Sequence, residues 1–157
     1  PLMRLFMGLN DKRSKKLGTS KLSNVPMAGG PEWADQDNIR IAFAQFQAVT
    51  DSKITQILSK SMMAFIDTFL SKWQGFDAGL SASWVDAHLE ELSKLNEVEK
   101  QQARYMLLVI GSPYMITDEE KKSLKKIMGN SNLLIMTAWV SLRAALRIGT
   151  QITQGHH

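Results

Sequence analysis

Residues 51–73 read DSKITQILSKSMMAFIDTFLSKW, and the spacing of their apolar side chains decides the fold class. Ile54, Ile57, Leu58, Met62, Phe65, Ile66, Phe69, Leu70 and Trp73 recur mostly three or four positions apart, which is the helical period rather than the twofold alternation of a strand. Asp51 stands where a side-chain oxygen can accept the first unpaired amides of a helix. The stretch therefore predicts one long amphipathic helix serving as the spine of the fold.

The same reading extends in both directions. Upstream, Asp35 or Asp37 caps a segment that runs to about Ala48, with Ile39, Ala42, Phe43 and Phe46 on one stripe. Downstream, Gly75 and Gly79 interrupt. Ser83 with Asp86 then forms a variant capping box for a helix bearing Trp84, Val85, His88, Leu89, Leu92 and Leu95. Asn96 with Glu99 offers a similar device for a helix through about Ile110, which Gly111-Ser112-Pro113 ends because proline removes a donor and crowds the preceding turn. Thr117 with Glu120 is the cleanest capping box, leading through Leu124, Ile127 and Met128 to Gly129. Ser131 or Asn132 starts the last helix, with Leu133, Leu134, Met136, Val140, Ala144 and Ile148 apolar and Gly149 at its end. No alternating apolar run of strand length competes. The expected fold class is all-α: a compact bundle of about six helices, preceded by a short amphipathic segment and a basic linker.

Charge divides the chain unevenly. Six of nineteen bases, Arg4, Lys12, Arg13, Lys15, Lys16 and Lys21, fall in the first thirty positions against Asp11 alone, whereas thirteen bases meet fourteen acids from Glu32 onward. The net charge of +4 thus belongs to the arm, which seeks an anionic partner. Leu2, Leu5, Phe6 and Leu9 lie at helical spacing within it, followed by a Lys, Ser, Asn and Gly linker with Pro26 and Pro31. The expected organisation is a basic arm and linker over 1–31, a helical domain over 32–153 and a tag-derived tail over 154–157 that ends in His156-His157.

A chain of 157 residues with 44% apolar content suffices for one core. There is no cysteine, which excludes disulfides, thiolate metal sites and thiol nucleophiles. The richest apolar stretch, 133–148, contains Arg143 and Arg147, so the expectation is against an integral membrane protein. The opening residues lack the long apolar core and cleavage site of a secretory signal. A cytoplasmic or virion-internal location is expected.

Candidate chemistry is sparse, and no catalytic residue, metal or cofactor is assigned. Asp86, two positions back, points around the helix from His88, which leaves Glu91 as the nearby carboxylate at favourable i+3 spacing, and His88 reads as a surface or edge histidine of an amphipathic helix. Glu90, Glu91, Glu97 and Glu99 lack the Glu-x-x-His step of di-metal bundles. Asp118-Glu119-Glu120 ahead of Lys121-Lys122 and Lys125-Lys126 complements a helix dipole. Arg143 and Arg147, four apart on one face, suit a grip on phosphate or carboxylate, or equally an ion pair with a neighbouring helix. Trp73, Trp84 and Trp139 read as core anchors, and Trp33 as a pin holding the linker to the body. Met62 and Met106 read as core among nine methionines.

Two resemblances go with these residues. Gly8-Leu9 followed by Ser14-Lys15-Lys16-Leu17-Gly18 resembles the basic arms of rhabdovirus matrix proteins, and implies contact with membrane and nucleocapsid. Ala103-Arg104 through Thr117-Asp118-Glu119-Glu120 to Arg143 and Ile148-Gly149 is similar in cadence to the carboxymuconolactone decarboxylase and alkylhydroperoxidase-D families, which implies an all-helical oligomer. Peroxidase chemistry there requires a Cys-x-x-Cys pair that this chain lacks.

The sequence therefore points away from an enzyme. It favours a helical interaction or assembly protein, with a matrix- or nucleoprotein-like role, whose arm contacts nucleic acid or an anionic membrane and whose helix faces permit a homo-oligomer. The alternative is a small-molecule enzyme or ligand-binding bundle using His88, Arg143 and Arg147 in an inter-helix pocket.

Overall fold

The computed structural model describes residues 29–74, 81, 83–90 and 95–154. Within them the chain is all-helical: α1 (Asp37–Ile54), α2 (Lys60–Lys72), α3 (Ser83–Glu90), α4 (Glu97–Gly111), α5 (Asp118–Met128) and α6 (Asn130–Gln154). A 3-10 turn at Pro113–Met115 joins α4 to α5, and no strand occurs among the described residues.

Local chemistry explains most of the boundaries. Asn96 Oδ1 accepts from the Glu99 amide at 2.9 Å while the Glu99 carboxylate accepts from the Asn96 amide at 3.2 Å, so two otherwise orphaned donors at the start of α4 are satisfied reciprocally. Thr117 and Glu120 repeat the device at α5. Helix α5 also carries its acids in the first turn and Lys125 and Lys126 in the last, each charge opposing the nearer pole of the helix dipole. Gly129 closes α5 with φ 82°, the one positive φ among the described residues.

Three expectations are corrected. Asp51 is not a helix cap, because α1 runs through it to Ile54 and its carboxylate turns instead to Trp139 and Arg143 of α6. Residues 51–73 are consequently two helices, parted by a turn in which the Ile57 and Leu58 amides return to the Ile54 carbonyl; Ser59, whose hydroxyl accepts from the Met62 amide at 3.3 Å, caps the second. Second, Ile39, Ala42 and Phe46 face outward, and α1 buries Ala44, Thr50 and Ile54. Among the described helices α1 touches only α6. Third, Gly149 does not end α6, which continues to Gln154.

The spine is α4 rather than residues 54–73. It buries Ala103, Tyr105, Met106, Leu107, Leu108 and Ile110 and packs against α2, α3, α5 and α6. A helix covered on so many sides must be apolar nearly all round, and residues 103–110 are apolar but for Arg104 and the hydroxyl of Tyr105. Met62, Ile66 and Leu70 of α2 and Met136, Trp139 and Val140 of α6 complete the core, in which Met62 and Met106 are both buried.

Gly149 serves close approach. A Cβ there would collide with the Trp33 indole, and Trp33 also stands edge-on to Phe43 of α1 with ring centroids 5.3 Å apart. Trp33 thus holds the start of the described chain against both α1 and α6, the pin expected of it. By length and composition α6 is one helix long and apolar enough to cross a membrane. Here Met136, Trp139, Val140, Leu142 and Ala144 are buried, and 28% of its apolar window is covered by the rest of the structure.

Candidate functional site

Arg4, Lys12, Arg13, Lys15, Lys16 and Lys21, on which the sequence places anion contact, lie outside the described residues, as does Glu91 beside His88. The other candidates can be located.

Arg143 and Arg147 project from one face of α6 toward α1 and α2. Arg143 donates to Asp67 at 3.0 Å and to Asp51 at 3.3 Å, and its guanidinium carbon lies 5.1 Å from the Trp139 ring centroid. Trp139 donates its indole N–H to the same Asp51 oxygen at 2.8 Å, so one carboxylate serves both residues. Arg147 donates to the Trp73 carbonyl at 3.3 Å and to the Ser71 carbonyl at 3.0 Å, and Gln151 donates to Trp73 at 2.7 Å. These carbonyls belong to the end of α2, where no further turn supplies donors. Arg147 and Gln151 therefore cap α2 from outside. Of the two roles open to these arginines, attachment to neighbouring helices describes their geometry.

His88 is half-buried, with Nδ1 2.8 Å from the Trp84 carbonyl. That oxygen can only accept, so Nδ1 is the donor in this contact. The ring stands edge-on to Phe69 at 5.1 Å and to Trp84 at 6.1 Å. No hydrogen bond, ion pair or ring contact among the described residues joins it to Arg143 or Arg147.

Sequence reasoning missed a polar node at Arg104. Its side chain donates to Glu120 of α5 at 2.9 Å and to Asp86 of α3 at 2.7 Å, linking three helices. Glu120 is recognisable in the sequence only as a cap, and nothing local signals that a base sixteen residues earlier reaches it. A cleft of about 380 Å³ opens beside the pair, between Gln101, Tyr105 and Ser123. Partial burial alone would push the Glu120 carboxyl up. The Thr117 amide, the bonds from Arg104 and the Thr117 hydroxyl, and the Arg104 charge together outweigh burial and hold it below the ordinary glutamate value.

A carboxyl held low in the folded chain adds stability that is present above its unfolded pKa and is lost as pH falls through the folded one. Acidification below the ordinary glutamate range should therefore lower the melting temperature of the wild type more steeply than that of Glu120→Gln, followed by circular dichroism. Parallel pH profiles would show that Glu120 contributes nothing to acid sensitivity.

The body is more polarised than its near-neutral total suggests. Glu120 is the last acid in the chain: residues 32–120 hold seven bases and fourteen acids, and residues 121–157 hold six bases and none. Arg143 and Arg147 direct their charge inward, and Lys121 pairs with Asp118 at 2.7 Å. Lys122, Lys125 and Lys126 are exposed and form no ion pair among the described residues. The concentration of positive charge is thus not confined to the arm, and the position of the last acid was the signal for it.

Among the described residues no three His, Asp or Glu side chains converge as a metal site would require. No protein-family profile, curated protein or solved structure matches the chain.

Proposed function

We propose that this chain is a non-enzymatic helical interaction or assembly protein whose basic arm contacts nucleic acid or an anionic membrane surface, in a matrix- or nucleoprotein-like role. The observation that carries the reading is the contrast between the two parts of the chain. Residues 1–31 concentrate six bases against one acid. In the body, the polar side chains best suited to chemistry hold one another: Arg104 with Asp86 and Glu120, Arg143 with Asp51 and Asp67, Arg147 with the end of α2. Such a body is a scaffold for the arm. The reading places the protein inside a cell or virion, where such polyanions are found.

Ile41 and Phe46 on α1 and Ile148 and Ile152 on α6 are exposed on two helices that pack together. Covering such side chains in a second copy would favour a homo-oligomer.

The test is a full-length variant with Lys12, Arg13, Lys15, Lys16 and Lys21 replaced by glutamine. Wild-type affinity for RNA, DNA or acidic vesicles should fall steeply with added salt, because each neutralised phosphate releases counterions. The variant should bind at least tenfold more weakly at low salt, with its helicity unchanged. Equal binding by the two proteins would sink the proposal.

A further inference from the structure

We infer that the groove between α5 and the first turns of α6 is a second, body-borne docking site for an anionic lipid surface, acting beside the arm. The inference rests on the polyanion-contact reading and assigns it a further site.

Three features converge there. The groove, about 340 Å³, is flanked by Lys121, Lys122 and Lys125 on α5 and by Asn130 and Leu134 on α6, and no acid lines it. Lys126, next to Lys125 in sequence, stands one helical turn beyond Lys122. The amino terminus of α6 opens at this point with no acid in its first turn, and the carboxyl end of α5 adjoins it, so the positive field there rests on Lys122, Lys125 and Lys126, which form no ion pair among the described residues. Its floor is closed: the Tyr105 hydroxyl is 3.0 Å from Thr137 Oγ1, and Thr137 in turn donates to the Leu133 carbonyl at 2.7 Å. The cations therefore face outward while the polar groups beneath them are already satisfied.

Leu134 distinguishes a lipid surface from a nucleic acid. It is 68% exposed, the most exposed large apolar side chain among the described residues, and it stands beside the lysines. A phosphodiester backbone offers nothing for that side chain to enter. Bases would call for an accessible aromatic face, and Tyr105 is only 7% exposed. At a bilayer, an apolar side chain crosses into the acyl boundary while lysines meet headgroup phosphates, so charge and apolarity act together. The arm repeats this chemistry, with Leu2, Leu5, Phe6 and Leu9 ahead of Lys12 and Lys15. Stable attachment to a membrane requires two such signals where one gives marginal, reversible binding.

The test uses the full chain, vesicles of phosphatidylcholine alone or equimolar with phosphatidylserine, and a mixed-sequence single-stranded RNA. Replacing Lys122, Lys125 and Lys126 together by glutamine should weaken binding to the acidic vesicles on the order of a hundredfold, since each surface lysine is worth about fivefold. Leu134→Ser should weaken it about tenfold, through lost apolar burial, and leave RNA affinity unchanged. All four side chains are exposed, so circular dichroism should match the wild type. The triple Lys→Arg variant should bind vesicles as the wild type does.

Undiminished vesicle binding by both the glutamine triple and Leu134→Ser overturns the inference. So does a loss confined to RNA, which would make the groove a nucleic-acid contact. If neutralising the arm alone removes all vesicle binding and the groove variants remove none, the arm reading stands and this site falls. If the wild type binds neither acidic vesicles nor RNA, both fall.

Discussion

Trp139→Ala is expected to lower the free energy of unfolding by about 3–5 kcal/mol, the range for removing a buried aromatic side chain. Trp139 is 1% exposed at the centre of α6, where it packs within the main core cluster, so its loss leaves a cavity that the surrounding helices can only partly close. The second part of the loss is polar. Without the indole N–H, Asp51 keeps only Arg143, whose guanidinium also loses the ring it lies over. Trp139→Phe separates the two contributions, because it keeps most of the apolar volume and removes the donor, and should cost about 1–2 kcal/mol. Denaturant melts of the three proteins measure both. If Trp139→Phe proves as damaging as Trp139→Ala, the polar contact and not the cavity dominates.

Gly129→Val is expected to cost about 3 kcal/mol, at the upper end for a residue forced into sparsely populated backbone space. At φ 82° and ψ 161° the backbone occupies a region essentially reserved for glycine. Nothing lies within 4 Å of a Cβ at this position. The penalty is therefore one of backbone conformation and not of crowding, which makes a sharp control available. A D-alanine introduced by chemical ligation adopts positive φ without strain, and should leave the melting temperature unchanged or raise it slightly. A comparable loss with D-alanine would contradict this account. Because Gly129 sets the direction in which α6 leaves α5, the valine variant should also weaken vesicle binding through the α5–α6 groove.

The helical architecture was legible because its signals are local. The two reciprocal caps, Asn96 with Glu99 and Thr117 with Glu120, lie within one turn, and the Gly-Ser-Pro stop after Ile110 acts on its own neighbours. What failed depended on partners distant in sequence. Asp51 looks like a cap until Trp139 and Arg143, 88 and 92 positions away, claim its carboxylate. Gly149 looks like a stop until Trp33 is seen to lie on it. The stripe Ile39, Ala42 and Phe46 has the right period, but period alone does not say which neighbour covers a helix, and α1 has only one among the described helices.

The candidate site divides in the same way. The arm is visible as composition. The inward commitments of Arg143 and Arg147 and the Arg104 node required three dimensions. The unpaired lysines of α5 were hidden by a helix-wide explanation: acids first and bases last does describe α5, yet it does not reveal that no acid follows Glu120 to offset them.

Among the described helices, the pairing of α1 with α6 alone also governs the order in which they are completed. Residues 55–129 must be made before any of α6 exists; at a synthesis rate of about 5–20 residues per second, α1 waits on the order of 4–15 s for its one neighbour among the described helices. Among the described helices, the one synthesised first is thus the last to gain its partner.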